Sequence, residues 1–220
     1  MVKFYPEAVT ADCQAALQLL RNQPWLADYY LAGGTALALQ IGHRVSTDLD
    51  WFTPTHHLDI TEREALRSRL LATGRYEAKY EQDEQLYCRL AGTDVSFIFQ
   101  HHNLLEDPVD YDGTPLASPT DIGVMKLAAI NSRGTRRDFI DLYCLREIAS
   151  LERLLRLAEE KYADRPSFLD ITVRALAYFA DAEQQPMPRL FWKNVLWADV
   201  VKYAETGAKW LTRYLRDKYR

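Results

Sequence analysis

The stretch from Tyr30 to Phe52, YLAGGTALALQIGHRVSTDLDWF, constrains this chain more than any other. The apolar run Tyr29-Tyr30-Leu31-Ala32 is long enough for a short buried strand. Gly33-Gly34-Thr35 breaks that run, and Ala36 to Gln40 then favours a helix. Past Gly42-His43-Arg44, the segment Ser46 to Phe52 alternates acidic and apolar residues. The predicted order is strand, glycine turn, short helix, then a second strand carrying two carboxylates.

The chemistry follows from that geometry. Residues two apart in a strand point to the same face, so Asp48 and Asp50 project together while Leu49 points away. Carboxylates that close repel unless a cation sits between them. Mg²⁺, with Mn²⁺ as the alternative ion, is commonly held by one or two carboxylates plus substrate phosphates. Asp48 and Asp50 are therefore candidate catalytic metal ligands. Gly33 and Gly34 let backbone approach a ligand closely. The helix that starts there aims N–H groups and its positive dipole end at that ligand, which suits phosphate. Gly33, Gly34 and Thr35 are the candidate nucleotide-binding residues, with Arg44 as a further contact. A phosphate cradle beside a carboxylate pair is the layout nucleotidyl transfer needs. The competing reading of Asp48 and Asp50 is a charged strand end facing solvent.

At 220 residues the chain is one large domain or two small ones. Its 48% hydrophobic and 26% charged content allows a sizeable core. No run reaches the 18 or so apolar residues of a membrane helix, and the N-terminus lacks a basic-then-apolar export pattern. A cytoplasmic protein with no membrane partner is expected. Cys13, Cys88 and Cys144 are far apart and read as buried or free thiols in a reducing compartment. The formal net charge of −4 argues against a wide nucleic-acid surface, though not against a local basic patch.

The rest of the chain divides by pattern. A first helix is predicted over 7–22, with Thr10 or Asp12 as cap. A second runs over 60–73, with Thr61 capping and Glu64 three residues on. Tyr76 to Tyr80, Gln85 to Leu90 and Asp94 to Phe99 read as strands, the last two forming a hairpin. His56-His57 and His101-His102 read as exposed loop histidines. Residues 101–118 are rich in Pro, Gly, Asp and Asn and read as a linker, so domains are expected at 1–117 and 118–220. After it the pattern is helical. Ser118-Pro119-Thr120-Asp121 starts a helix in which Lys126 sits among apolar neighbours, with Ile130 and Arg133 on its face. Gly134-Thr135 interrupts, and the next helix places Asp138 and Asp141 on one face. Helices follow over 151–163, 167–181 and about 197–218. The aromatics near the C-terminus alternate with Lys193, Lys202, Lys209, Arg213, Arg216, Lys218 and Arg220. They read either as an RNA-stacking surface or as a core stripe with a solvated basic face.

Two motifs carry a family resemblance. GGTALAL followed by HR and S-x-DLD-x-F is the first. KLAAI-x-x-RG-x-x-RDF-x-DLY-x-L, running from Lys126, is the second. Together they resemble the nucleotidyltransferase toxins of the AbiEii/AbiGii abortive-infection, type IV toxin–antitoxin family, within the polymerase-beta-like nucleotidyltransferase superfamily. The resemblance spans roughly residues 28–146. It implies an α+β fold: a small mixed β-sheet nucleotidyltransferase core with flanking helices, plus a C-terminal helical bundle. It implies Mg²⁺-dependent transfer of a nucleotide from a nucleoside triphosphate to an acceptor such as the 3′ end of a tRNA. A cognate antitoxin is the implied partner. Asp94 matches a third metal carboxylate in the family; its competing reading is a turn residue after Gly92. Lys126 matches a lysine that contacts the triphosphate. Asp141, or alternatively Asp138, matches an aspartate that positions or deprotonates the attacking group or orients the lysine; the competing reading of these residues is a helix–helix salt-bridge lattice, for instance Arg137 with Asp141. This reading requires Lys126 and Asp141 to reach Asp48 and Asp50. Two rivals stand beside it: transfer to a protein hydroxyl or a small molecule such as an antibiotic, and a catalytically silent binding protein.

Overall fold

The structure, a computed structural model, describes residues 3–192 and 194–220. Lys193, one of the basic residues noted above, lies outside them. The chain divides into two compact units, Met1–Ser118 and Pro119–Arg220. Among the described residues, no helix is long and apolar enough to cross a membrane.

The first unit is built in the order α1 (Ala11–Leu20), β1 (Tyr30–Ala32), α2 (Gly33–Ile41), β2 (Asp48–Thr53), α3 (Ile60–Leu71), then β3 (Tyr76–Gln82), β4 (Gln85–Leu90), β5 (Thr93–Phe99), β6 (Val109–Tyr111) and β7 (Thr114–Leu116). These strands form one mixed sheet, ordered β3-β4-β5-β2-β1-β7-β6. β2 lies at its centre, antiparallel to β1 and parallel to β5. Alternation sets the two faces of β2: Leu49, Trp51 and Thr53 are buried, and Asp48, Asp50 and Phe52 are half-buried. Each fully buried side chain of this kind contributes roughly 1.5–3 kcal/mol, so the apolar face fixes the register that turns both carboxylates the other way.

Three expectations for the first unit need correction. The first helix does not run from residue 7. A 3₁₀ turn occupies Pro6–Ala8 and α1 starts at Ala11, capped by Thr10. The intervening Val9 pairs with Ser46 in a β-bridge, and the Ser46 N–H donates to the Ala8 carbonyl at 2.9 Å. That long-range pairing outweighs local helix preference. α3 is capped by Asp59 with Glu62 in a reciprocal capping box, two residues before the Thr61–Glu64 pair. The turn-rich segment 101–118 is not wholly a linker. It contains the β6–β7 hairpin, turning at Asp112-Gly113, and β7 adds in parallel to β1.

The second unit is helical: α4 (Pro119–Ser132), α5 (Arg136–Cys144), α6 (Leu151–Lys161), α7 (Phe168–Ala175), α8 (Ala180–Glu183) and α9 (Trp197–Lys218). The single helix expected over 167–181 is two pieces. Between them Phe179 packs against Phe139 and Trp197, with ring centroids 5.2 and 6.2 Å away. That aromatic cluster bends a chain that carries no local breaker. α9 buries Val200, Ala204, Gly207, Ala208 and Leu211 on one stripe. Its basic residues Lys202, Lys209, Arg213 and Arg216 are exposed. All three cysteines are buried and unbridged. Burial pushes the Cys88 thiol up to about 12, so it stays protonated and inert at neutral pH.

Buried lysine–aspartate ion pairs cross this helical unit. One joins Lys161 on α6 to Asp121 on α4 at 3.0 Å, with side chains 2% and 0% exposed. Removing one partner strands a charge in the core, at a cost of about 3–5 kcal/mol. Lys161→Ala is thus expected to lower the urea-unfolding free energy of the second unit by that amount. A loss under about 1 kcal/mol would show that the pair is not buried as described.

Candidate active site

β1 passes into α2 without a loop. Ala32 is the N-cap, and no side chain caps the helix start. Gly33 has φ of +66°, a conformation that side-chained residues rarely adopt, and a Cβ there would stand 2.6 Å from Asp50 Oδ2. The glycine is what allows the Asp50 carboxylate to lie against the start of α2. A Cβ on Gly34 would overlap the Arg44 guanidinium on its other side. Arg44 itself is buried, with Nη1 donating to the Val45 carbonyl at 3.0 Å. Its side chain therefore underlies the helix start and supports it from within. Thr35 is also buried. Its hydroxyl donates to the Asp48 carbonyl and lies 2.9 Å from Ser46 Oγ. The Thr35 side chain thus ties α2 to β2, and its backbone N–H lies in the first turn of α2.

The carboxylates come next. Asp48 and Asp50 share the half-buried face of β2. Ser46 Oγ donates to Asp48 Oδ1 at 3.4 Å. In the parallel register with β5, Asp48 faces Asp94 and Asp50 faces Ser96. Ser96 is buried, and its hydroxyl donates to Asp50 Oδ1 at 2.5 Å. Asp94 is exposed, with its Oδ2 2.7 Å from Lys79 Nζ. Among the described residues, no three His, Cys, Asp or Glu side chains are grouped to hold a metal ion. Two hard-oxygen carboxylates on one face, beside an uncapped helix start, fit Mg²⁺, which takes one or two carboxylates and completes its shell with water and phosphate. Ser96 did not stand out in the sequence, although D-V-S-F alternation already places it on the face of Asp94.

The histidine pairs serve elsewhere. His56 lies 3.2 Å from both Asp28 and Glu62, and His101 lies 3.3 Å from Glu84. These surface pairs contribute little to stability.

In the second unit, Lys126, Asp138 and Asp141 come together. Lys126 Nζ is 2.8 Å from Asp138 Oδ1 and 2.6 Å from Asp141 Oδ2, and all three side chains are almost wholly buried. The sequence left open which aspartate partners the lysine; both do. They differ in their surroundings. Asp138 also accepts from Arg133 Nε at 3.0 Å and from the Thr135 hydroxyl at 2.6 Å, and it closes the capping box of α5. Burial alone would raise its pKa. The Lys126 ammonium and the Arg133 guanidinium outweigh burial and hold it well below the ordinary 3.8. In C-terminal aromatic packing, Arg156 lies over the stacked Trp210 and Tyr214 rings, 5.4 and 4.9 Å from their centroids.

A depressed carboxylate stabilises the fold above its unfolded pKa and loses that contribution as pH falls through its folded pKa. For Asp138 the loss starts near pH 3.8 and proceeds downward at about 1.4 kcal/mol per pH unit. Asp138→Asn should cost about 3–5 kcal/mol at pH 7. Urea titrations should show the gap to wild type shrinking between pH 5 and pH 3. A gap of equal size at both pH values would contradict the ionised, paired Asp138.

Comparison with known proteins bears on this arrangement. The chain matches the family model described as Nucleotidyl transferase AbiEii toxin, Type IV TA system, over residues 16–200. It is 34% identical over 175 residues to an uncharacterized protein of Aquifex aeolicus (strain VF5), covering 76% of this chain and 82% of that one. Its fold is similar to that of MenT4, a nucleotidyltransferase toxin from Mycobacterium tuberculosis H37Rv, with a TM-score of 0.59 and 17% identity. That match covers 91% of this chain and 82% of MenT4. JHP933 from Helicobacter pylori aligns more loosely, with a TM-score of 0.49 and 16% identity over 98% of this chain and 96% of that one. A family match over that span makes this chain a member of the AbiEii nucleotidyl transferase toxin family of type IV toxin–antitoxin systems.

Proposed function

We propose that the protein moves a nucleotide from a nucleoside triphosphate to RNA, such as the 3′ end of a tRNA, in a divalent-metal-dependent reaction. The observation that carries this reading is the position of Asp50: on one face with Asp48, and against the glycine start of α2. Mg²⁺ or Mn²⁺ held by Asp48 and Asp50 supplies charge neutralisation for the phosphates when bound. The N–H groups of Gly34 and Thr35 lie at the positive end of α2 and bind phosphate oxygens. The acceptor oxygen attacks the α-phosphorus, the bond to the β-phosphate oxygen breaks, and pyrophosphate leaves. The acceptor's proton passes to solvent or to a nearby carboxylate.

Lys126 and Asp141 enter through the second motif. The Lys126 ammonium steadies negative charge on the phosphates, and Asp141, 2.6 Å away, orients it. Asp138 holds the same ammonium while serving α5. Nucleoside triphosphate and RNA as substrates place the reaction in the cytoplasm. Unchecked transfer to RNA explains a toxin, and the family's description as a toxin–antitoxin system supports a cognate antitoxin partner.

Incubation of the protein with labelled nucleoside triphosphates, Mg²⁺ and total RNA tests this directly. Wild type should transfer label to RNase-sensitive, protease-resistant product. Asp48→Ala, Asp50→Ala and Lys126→Ala should each lower transfer by more than about 100-fold. Gly33→Ala should fall comparably, because the new Cβ displaces the Asp50 carboxylate. Protease-sensitive label would transfer the assignment to a protein acceptor. Full activity in Asp50→Ala would remove the proposal.

A further inference from the structure

The strand beside the carboxylate pair offers two residues to the site, and they are used differently. Asp94 is 54% exposed and bonded to Lys79 on the far side from Asp50. Ser96 is the opposite case. It is 5% exposed, directly across from Asp50 in the parallel register, with its hydroxyl committed to Asp50 Oδ1. The other carboxylate oxygen, Oδ2, is the one that lies against Gly33.

Resting on the reading above, we infer that Ser96 is a positioning residue for Asp50, and that β5 serves the site through this hydroxyl rather than through the Asp94 carboxylate. The hydroxyl grips Oδ1 and fixes the plane of the carboxylate. Gly33 leaves the space in which Oδ2 sits. An Asp side chain rotates about two torsions, and a carboxylate free to turn would lose part of its metal affinity to that freedom. A hydrogen bond to a charged acceptor is among the stronger ones in a protein, and its donor is buried here. The arrangement also explains why the pair is Asp-x-Asp on β2 with a small hydroxyl opposite. A third carboxylate at position 96 would bring a like charge close to Asp50.

Mn²⁺ titration of the purified, nucleotide-free protein, read by calorimetry, tests the inference without relying on turnover. Ser96→Ala should weaken Mn²⁺ binding by about 10–100-fold, the usual effect of removing a group that orients a metal ligand. Ser96→Thr, which restores a hydroxyl, should recover most of it. Asp94→Asn should bind within about twofold of wild type, consistent with a carboxylate outside the ligand set. In transfer assays Ser96→Ala should lower kcat with little change in the KM for nucleoside triphosphate, while the circular dichroism melt stays two-state. Wild-type Mn²⁺ affinity in Ser96→Ala would overturn the inference, and so would an Asp94→Asn loss as large as that of Asp50→Ala. If Asp50→Ala itself binds Mn²⁺ as wild type does, the metal reading beneath it falls as well.

Discussion

The site depends on the contact between Asp50 and Gly33. A carboxylate oxygen is packed against the first residue of a helix at a point where any other amino acid would collide with it. That closeness brings a negative side chain to the positive end of a helix, where the two attract. The rest of the first unit keeps the contact in place. The parallel pairing of β2 with β5 fixes the height of Asp50, the Thr35 hydroxyl ties α2 to the Asp48 carbonyl, and buried Arg44 supports the helix start. Core burial of Leu49 and Trp51 makes the register costly to change.

The second unit shows a different use of charge. Two of its lysines, Lys126 and Lys161, are buried and held by aspartates rather than exposed to water. Such pairs add little net stability compared with an apolar core, yet they are costly to break. Lys126 sits between two carboxylates with different duties. Asp138 is bound up with the cap of α5, whereas Asp141 is one helical turn further in. An ammonium held between two carboxylates is fixed in direction.

Much of this was legible in the sequence because it rested on local rules. Alternation in DLDWF gave the shared face of Asp48 and Asp50, and the glycine pair gave the turn into α2. The order of strands 76–99 followed from composition and turns, and the final helix appears at Trp197–Lys218 as expected. What stayed hidden depended on partners distant in the chain. Ser96 is an ordinary serine until the register sets it opposite Asp50, 46 residues away. Lys161 and Asp121 are 40 residues apart and look like surface charges until α4 and α6 pack. The β6–β7 hairpin lay under prolines and aspartates that signal a loop, although Asp112-Gly113 is itself a hairpin turn. The break after α7 has no local signal, because aromatic packing around Phe179 sets it.

The central claim is that Asp48 and Asp50 hold the metal that binds triphosphate. Anomalous diffraction from crystals grown with Mn²⁺ and a non-hydrolysable nucleoside triphosphate tests it most directly. The account predicts a manganese peak within about 2.2 Å of oxygens from both carboxylates, with a phosphate at the first turn of α2. A peak ligated by other residues, or a triphosphate bound away from Gly33-Gly34-Thr35, would contradict it.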